Sequence, residues 1–215
     1  MAQLQHYNLG IRRDAALGLH ELLQASPTLL QRHLAVVIER GAALFVDREP
    51  TIRQAALKLY LLLTALVTHA QMEPFFNLIM AHLCCAMTHI EESIQMDALK
   101  FIDLFLDVYP QLLVKFSGEL LPNFISLISK KSQGVGKNAV SLAVNPSQRI
   151  HAQKWRANVL DRLHAVLSAV ANQTPESDHV ASRSANHRTV EVSGRTPVHH
   201  QLISDYGFES NFRFR

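Results

Sequence analysis

The sequence is poor in cysteine, in aromatic residues and in charge. Its two cysteines, Cys84 and Cys85, are adjacent, so no disulfide framework can be built from them and a reducing compartment is expected. Aromatics make up 7% and charged residues 18% of 215 residues that are 48% hydrophobic, so a core must come mainly from Leu, Ala, Ile and Val. Eight glycines and eight prolines are too few for a collagen-like or low-complexity chain. No apolar run approaches the roughly eighteen residues that a membrane span needs. The longest, residues 57–67, is interrupted by Lys58, Tyr60 and Thr64. The opening MAQLQHYNLG has neither the basic start nor the apolar stretch of a secretory signal.

Net charge is only +3, but it is unevenly spread. Residues 1–129 hold nine Lys and Arg against twelve Asp and Glu, whereas residues 130–162 hold seven against one. A short basic stretch therefore hides inside a nearly neutral chain.

Helical periodicity fills residues 8–130. Ile11, Ala15, Gly18, Leu19 and Leu22 recur at spacings of three and four, which puts them on one helix face. Ile52, Ala56, Leu59, Tyr60 and Leu63 repeat the pattern 41 residues later, and Ile94, Ala98, Phe101, Ile102 and Phe105 repeat it after a further 42. Ala15, Ala56 and Ala98 fall in register, as do Arg12, Arg53 and Gln95. Partner helices are expected at about 28–45, 73–89 and 118–130, with Pro74 in the opening turn of the second. A period near 40 residues with helical signals alone is the pattern of HEAT or armadillo repeats, in which one helix pair cannot bury its apolar face until a neighbour stacks on it. Asp47 is placed to cap the second stripe or to meet Arg53. Asn145, Pro146 and Ser147 mark a turn and a helix start, with Ser147 as N-cap. A long helix over 147–171, with the stripe Trp155, Val159, Leu163, Val166 and Val170, would cap the last layer.

The expectation is an all-α chain. Residues 1–171 would form a HEAT/armadillo-like α-solenoid of about three helix pairs, with a basic loop at 130–146 and the capping helix after it. From residue 172 the periodicity ends, and a Ser-, Thr-, Asn- and His-rich tail, 172–215, reads as largely disordered. Its end, YGFESNFRFR, interleaves aromatics and arginines and reads as a short docking motif or the start of further structure.

The runs QHYNLGIRRDAALGLHELL, HLCCAMTHIEESIQMDALKFIDLFLDVYP and LAVNPSQRIHAQKW resemble the N-terminal domain of the testis-expressed-protein-ten family, whose fungal members are pre-rRNA-processing proteins of a Rix-type complex. The resemblance spans about residues 4–171, and AMTHIEESIQ and AVNPSQR are its most specific segments. It implies a helical-repeat scaffold in the nucleus, both nucleolus and nucleoplasm. It further implies assembly with a Rix-type (proline-, glutamate- and leucine-rich) helical-repeat protein and a WD-repeat protein. Cooperation with the midasin ATPase on large-subunit precursors, and removal of the second internal transcribed spacer, belong to the same implication. Animal members carry a basic N-terminal extension and a long C-terminal region that this sequence does not contain.

Few residues suggest chemistry. His82, Cys85 and His89 share a helical spacing, with His69 the only candidate fourth ligand, but buried thiols and polar-edge histidines account for them more simply than zinc does. Gly134 to Lys137 falls short of a phosphate loop, since Lys131 and Asn138 stand where Gly and Ser/Thr are needed. Asn172-Gln173-Thr174 matches a glycosylation acceptor that a chain without a secretory signal would not present. Thr174-Pro175 and Thr196-Pro197 match phosphosites but read as ordinary turns in preference to them. No catalytic, cofactor or metal set is expected, and no enzyme. The residues singled out are the cations Lys130, Lys131, Lys137, Arg149, Lys154, Arg156 and Arg162, as contacts for RNA or an acidic partner. On a helix only Arg149 and Arg156 of the last four align, which weighs toward a solvated face or an acidic-partner contact over RNA. Trp155 reads as core rather than a base-stacking platform. The alternatives to a ribosomal scaffold are an RNA-binding module using residues 130–162 and a generic HEAT adaptor in nuclear transport or chromatin complexes.

Overall fold

The computed structural model describes residues 2–129 and 146–173, with side chains described for 2–129 and 153–173. Among the described residues every regular element is helical. After a 3₁₀ turn at Ala2–Gln5 come α1 (Leu9–Ala25) and α2 (Thr28–Ala42), and a second 3₁₀ turn, Ala43–Val46, leads to α3 (Pro50–Leu66). Then follow α4 (His69–Met87), α5 (Glu92–Val108), α6 (Pro110–Lys115), α7 (Ser117–Ser129) and α8 (Pro146–Gln173). No helix among the described residues is long and apolar enough to cross a membrane.

The starts are set by local chemistry. Asn8 accepts the amides of Gly10 and Ile11 through Oδ1, at 2.8 and 3.3 Å, and so opens α1. Pro50 and Pro110 occupy first positions, where a missing N–H costs nothing. Gln71 Oε1 accepts the Thr68 amide at 3.0 Å, which starts α4 at His69 and leaves Pro74 inside the helix rather than in its opening turn. The last long helix begins at Pro146, so Ser147 lies within it and is not its N-cap.

Two rows of helices run through the molecule. In one row α1 packs on α3, α3 on α5 and α5 on α8; in the other α2 packs on α4 and α4 on α7. The few aromatics are gathered between the rows and layers. Phe45 stacks on Phe101 at 4.0 Å between centroids, and Tyr60 meets Phe105 edge-on at 5.8 Å. Each fully buried ring or branched side chain contributes about 1.5–3 kcal/mol, and Ile52, Ala56, Tyr60, Leu63, Ile94, Ala98, Ile102 and Phe105 are all buried. Val159 and Val166 of α8 close the core from the far side, with Trp155 and Leu163 half-buried beside them.

The first stripe departs from the other two. Ile11 is 37% and Leu22 51% exposed, and Ala15 and Leu19 are only partly covered. The buried line of α1 is instead Ala16 and Leu23, one residue round the helix. In α3 and α5 the stripe faces the layer before it, as Phe101 does when it stacks on Phe45. No described element lies on that side of α1 beyond the turn that buries Leu4, so the same pattern of residues is left open.

Candidate functional site

The three register-equivalent residues Arg12, Arg53 and Gln95 perform one task. Each stands four residues after its helix N-cap (Asn8, Glu49 or Glu91) and reaches back to the loop that precedes the helix. Arg12 Nη1 donates to the carbonyls of His6 and Tyr7, at 2.8 and 3.1 Å. Arg53 Nη1 donates to those of Asp47 and Arg48, at 2.7 and 3.0 Å. Gln95 donates to the carbonyl of His89. In the same three loops the N-cap amide donates to the side chain two residues before it: Asn8 N–H to His6 Nδ1 at 3.1 Å, Glu49 N–H to Asp47 Oδ1 at 3.0 Å, Glu91 N–H to His89 Nδ1 at 3.0 Å. These locks hold irregular backbone that would otherwise leave polar groups without partners.

The two arginines also reach forward. Arg12 grips Asp47 with Nε and Nη2, at 2.8 and 3.1 Å, a forked contact from the first layer to the second. Arg53 Nε donates to Asp97 Oδ2 at 2.7 Å, from the second layer to the third. A third tie joins α5 to α8, where Arg162 Nε and Nη2 lie 3.1 and 3.0 Å from Asp103 Oδ2. Burial pushes the Asp103 carboxyl above its ordinary value, and the Arg162 charge offsets only part of that. The expected meeting of Asp47 with Arg53 is thus corrected: the Asp47 carboxylate pairs with Arg12, and Arg53 takes only the Asp47 carbonyl. The register of Arg12, Arg53 and Gln95 was the signal for the backward contacts. The forward partners lie 35 to 59 residues away in sequence and carried none.

The basic residues are divided. Arg162 is spent on Asp103 inside the fold. Lys154 and Arg156 are exposed on α8. Arg149 belongs to α8, but its side chain lies outside the described part, as do Lys130, Lys131 and Lys137 altogether. Lys154 and Trp155 border an open cleft of about 430 Å³ against Glu92, Ser93 and Met96 of α5. This cleft offers an indole flanked by one cation and one carboxylate.

No group of three or more His, Cys, Asp or Glu that could hold a metal occurs among the described residues. His82 is half-buried and burial lowers its pKa; Cys84 is likewise half-buried, and burial raises its thiol. The Cys84 shift opposes reactivity, since a protonated thiol is a poor nucleophile.

With this geometry in view, the chain can be set beside known proteins. Residues 70–167 match the family of Ipi1 N-terminal segments, described as "Rix1 complex component involved in 60S ribosome maturation". That match covers a little under half of the chain. It is also 40% identical over 189 residues to the zebrafish (Danio rerio) testis-expressed protein 10 homolog, an alignment covering 85% of this chain and 20% of that protein. The chain thus corresponds to about a fifth of its relative's length. Among solved structures, the crystal structure of an engineered protein (Northeast Structural Genomics Consortium target OR366) superposes with a TM-score of 0.48 at 13% identity, covering 79% of this chain and 67% of that one.

Proposed function

We propose that the chain is a non-catalytic HEAT/armadillo-type scaffold of a nuclear Rix-type complex, acting in assembly of the large ribosomal subunit and removal of the second internal transcribed spacer. Residues 1–171 form its helical-repeat domain. Its partners are a Rix-type (proline-, glutamate- and leucine-rich) helical-repeat protein and a WD-repeat protein, and through them midasin and the 60S precursor. Its place of action is the nucleolus and nucleoplasm.

The observation that carries this reading is the family match over residues 70–167. The repeated loop locks and the ties Arg12–Asp47 and Arg53–Asp97 support a rigid stacked scaffold, since they fix each layer to the next at buried or half-buried positions. Affinity capture of the full-length protein from nuclear extract tests the reading. Recovery of a Rix-type and a WD-repeat protein together with large-subunit precursor rRNA is expected, and capture of none of them contradicts it.

A second reading is direct RNA contact, favoured by exposed Lys154 and Arg156 beside Trp155. RNA affinity would then fall steeply with salt. Neutralising Lys130, Lys131, Lys137, Arg149, Lys154 and Arg156 would lower both the affinity and the salt slope. Affinity indifferent to those changes rules it out.

A further inference from the structure

The open face of α1 is composed like the covered faces of α3 and α5. Ile11, Ala15, Gly18 and Leu22 are the register equivalents of Ile52, Ala56, Leu59 and Leu63, and of Ile94, Ala98, Phe101 and Phe105. The latter eight are buried at 0 to 1% exposure, whereas Ile11 and Leu22 border a groove of about 500 Å³. Among the described residues only the turn at Ala2–Gln5 borders this groove from outside α1.

The polar part of the interface is repeated as well. Asp97, which receives Arg53 from the preceding layer, has Asp14 as its equivalent in α1, 83 residues earlier. Asp14 lies on the rim of the groove with its side chain 68% exposed, and its described ion pair is with its own neighbour Arg13, at 3.0 Å. Where α3 and α5 carry Leu59 and Phe101, α1 carries Gly18, and a Cβ added there meets nothing within 4 Å. The groove is therefore notched where an incoming side chain would insert.

We propose that this face, Ile11, Ala15, Gly18 and Leu22 with Asp14 at its rim, receives one further amphipathic helix from another protein. That helix brings an apolar line at spacings of three and four and an Arg or Lys that meets Asp14 as Arg53 meets Asp97. The cations of α1 are both committed, Arg12 to Asp47 and Arg13 to Asp14, so a cation that meets Asp14 from the neighbouring layer, as Arg53 meets Asp97 beside Lys100, comes from the partner. A second copy docking its own α8 here would repeat head to tail without closing. The surface is independent of which assembly the chain serves.

Photo-crosslinking tests it directly. In the full-length protein, expressed in cells of its source, Ile11 and Leu22 are replaced in turn by benzoylphenylalanine, and the adducts formed on irradiation are mapped by mass spectrometry. Adducts are expected on one helix of a different polypeptide with the stated pattern. Asp14→Lys should lower their yield at least tenfold, and exchange of the partner's cation for Glu should restore it. Gly18→Trp should abolish the adducts, while Gly18→Ala should leave them. Thermal melting by circular dichroism should show the Asp14 and Gly18 variants folded; if Gly18→Trp is not, Gly18→Arg serves in its place. Adducts confined to this chain's own sequence, adducts on a helix without a cation, no adducts at all, or a yield indifferent to Asp14→Lys would each overturn the proposal.

Discussion

Arg53 and Asp97, 44 residues apart in sequence, form a 2.7 Å ion pair in which the arginine side chain is 1% exposed. The guanidinium simultaneously closes the loop before α3 through two carbonyls, so one side chain fixes both a loop and a layer junction. Removing one member of such a pair leaves the other unpaired, at a cost of about 3–5 kcal/mol. Asp97 keeps Lys100 at 2.8 Å, which favours the lower end. Arg53→Met should therefore lower unfolding free energy by about 3 kcal/mol in urea titration; a loss under about 1 kcal/mol would mean the pair behaves like a surface contact.

Two glycines should respond oppositely to alanine. A Cβ at Gly18 meets open space, so Gly18→Ala should raise stability by up to about 1 kcal/mol through helix propensity. At Gly41 the same atom would lie 3.1 Å from Tyr60 Cε2. That ring cannot retreat, since its hydroxyl donates to the Ile38 carbonyl at 2.8 Å and Phe45 and Phe105 pack against it. Gly41→Ala should cost about 1–2 kcal/mol, and paired thermal melts compare the two.

Alkaline pH should loosen the core. Burial pushes Tyr109 from its ordinary value of 10.0 to about 12 and raises Tyr60 well above that same ordinary value. Between pH 10 and 12 the unfolded chain releases phenolic protons that the folded chain retains. Unfolding is then favoured as pH rises, so this contribution is intact below pH 10 and is lost above it. Tyrosinate absorbance should show the Tyr60 and Tyr109 phenols titrating late, together with unfolding; ordinary titration of both would refute it.

Asp103 bears on the opposite end of the pH scale. Its folded pKa lies above the ordinary 3.8, so stability falls as pH rises through the interval between the two, where the folded chain holds the extra proton. Asp103→Asn should remove that slope while keeping an acceptor for Arg162. Arg162→Ala, by contrast, leaves a mostly buried carboxylate alone and should cost about 2 kcal/mol, read as faster hydrogen exchange in α8. Equal exchange in both variants would remove Arg162 as the tie.

Periodicity revealed the long helices because it reports which residues share a face. It could not report whether a further layer covers that face, which is why Ile11 and Leu22 read as core and stand exposed. Nor did it reveal α6, whose six residues at Pro110–Lys115 are too few to show a period. The start of α4 was misplaced because Gln71 acts on Thr68 through a side-chain contact rather than through apolar spacing. Among the cations, charge counting grouped Arg162 with Lys154 and Arg156, although an acid on another helix withdraws the first from the surface. The contacts of Lys130, Lys131 and Lys137 fall outside the described residues.

Sedimentation of nuclear extract tests the scaffold account most directly. The full-length protein should co-migrate with 60S precursors, and Arg53→Met, by breaking the junction of its second and third layers, should shift it toward free-protein fractions. Migration of the unaltered protein as free monomer, with precursor rRNA maturing normally after its depletion, would contradict the account.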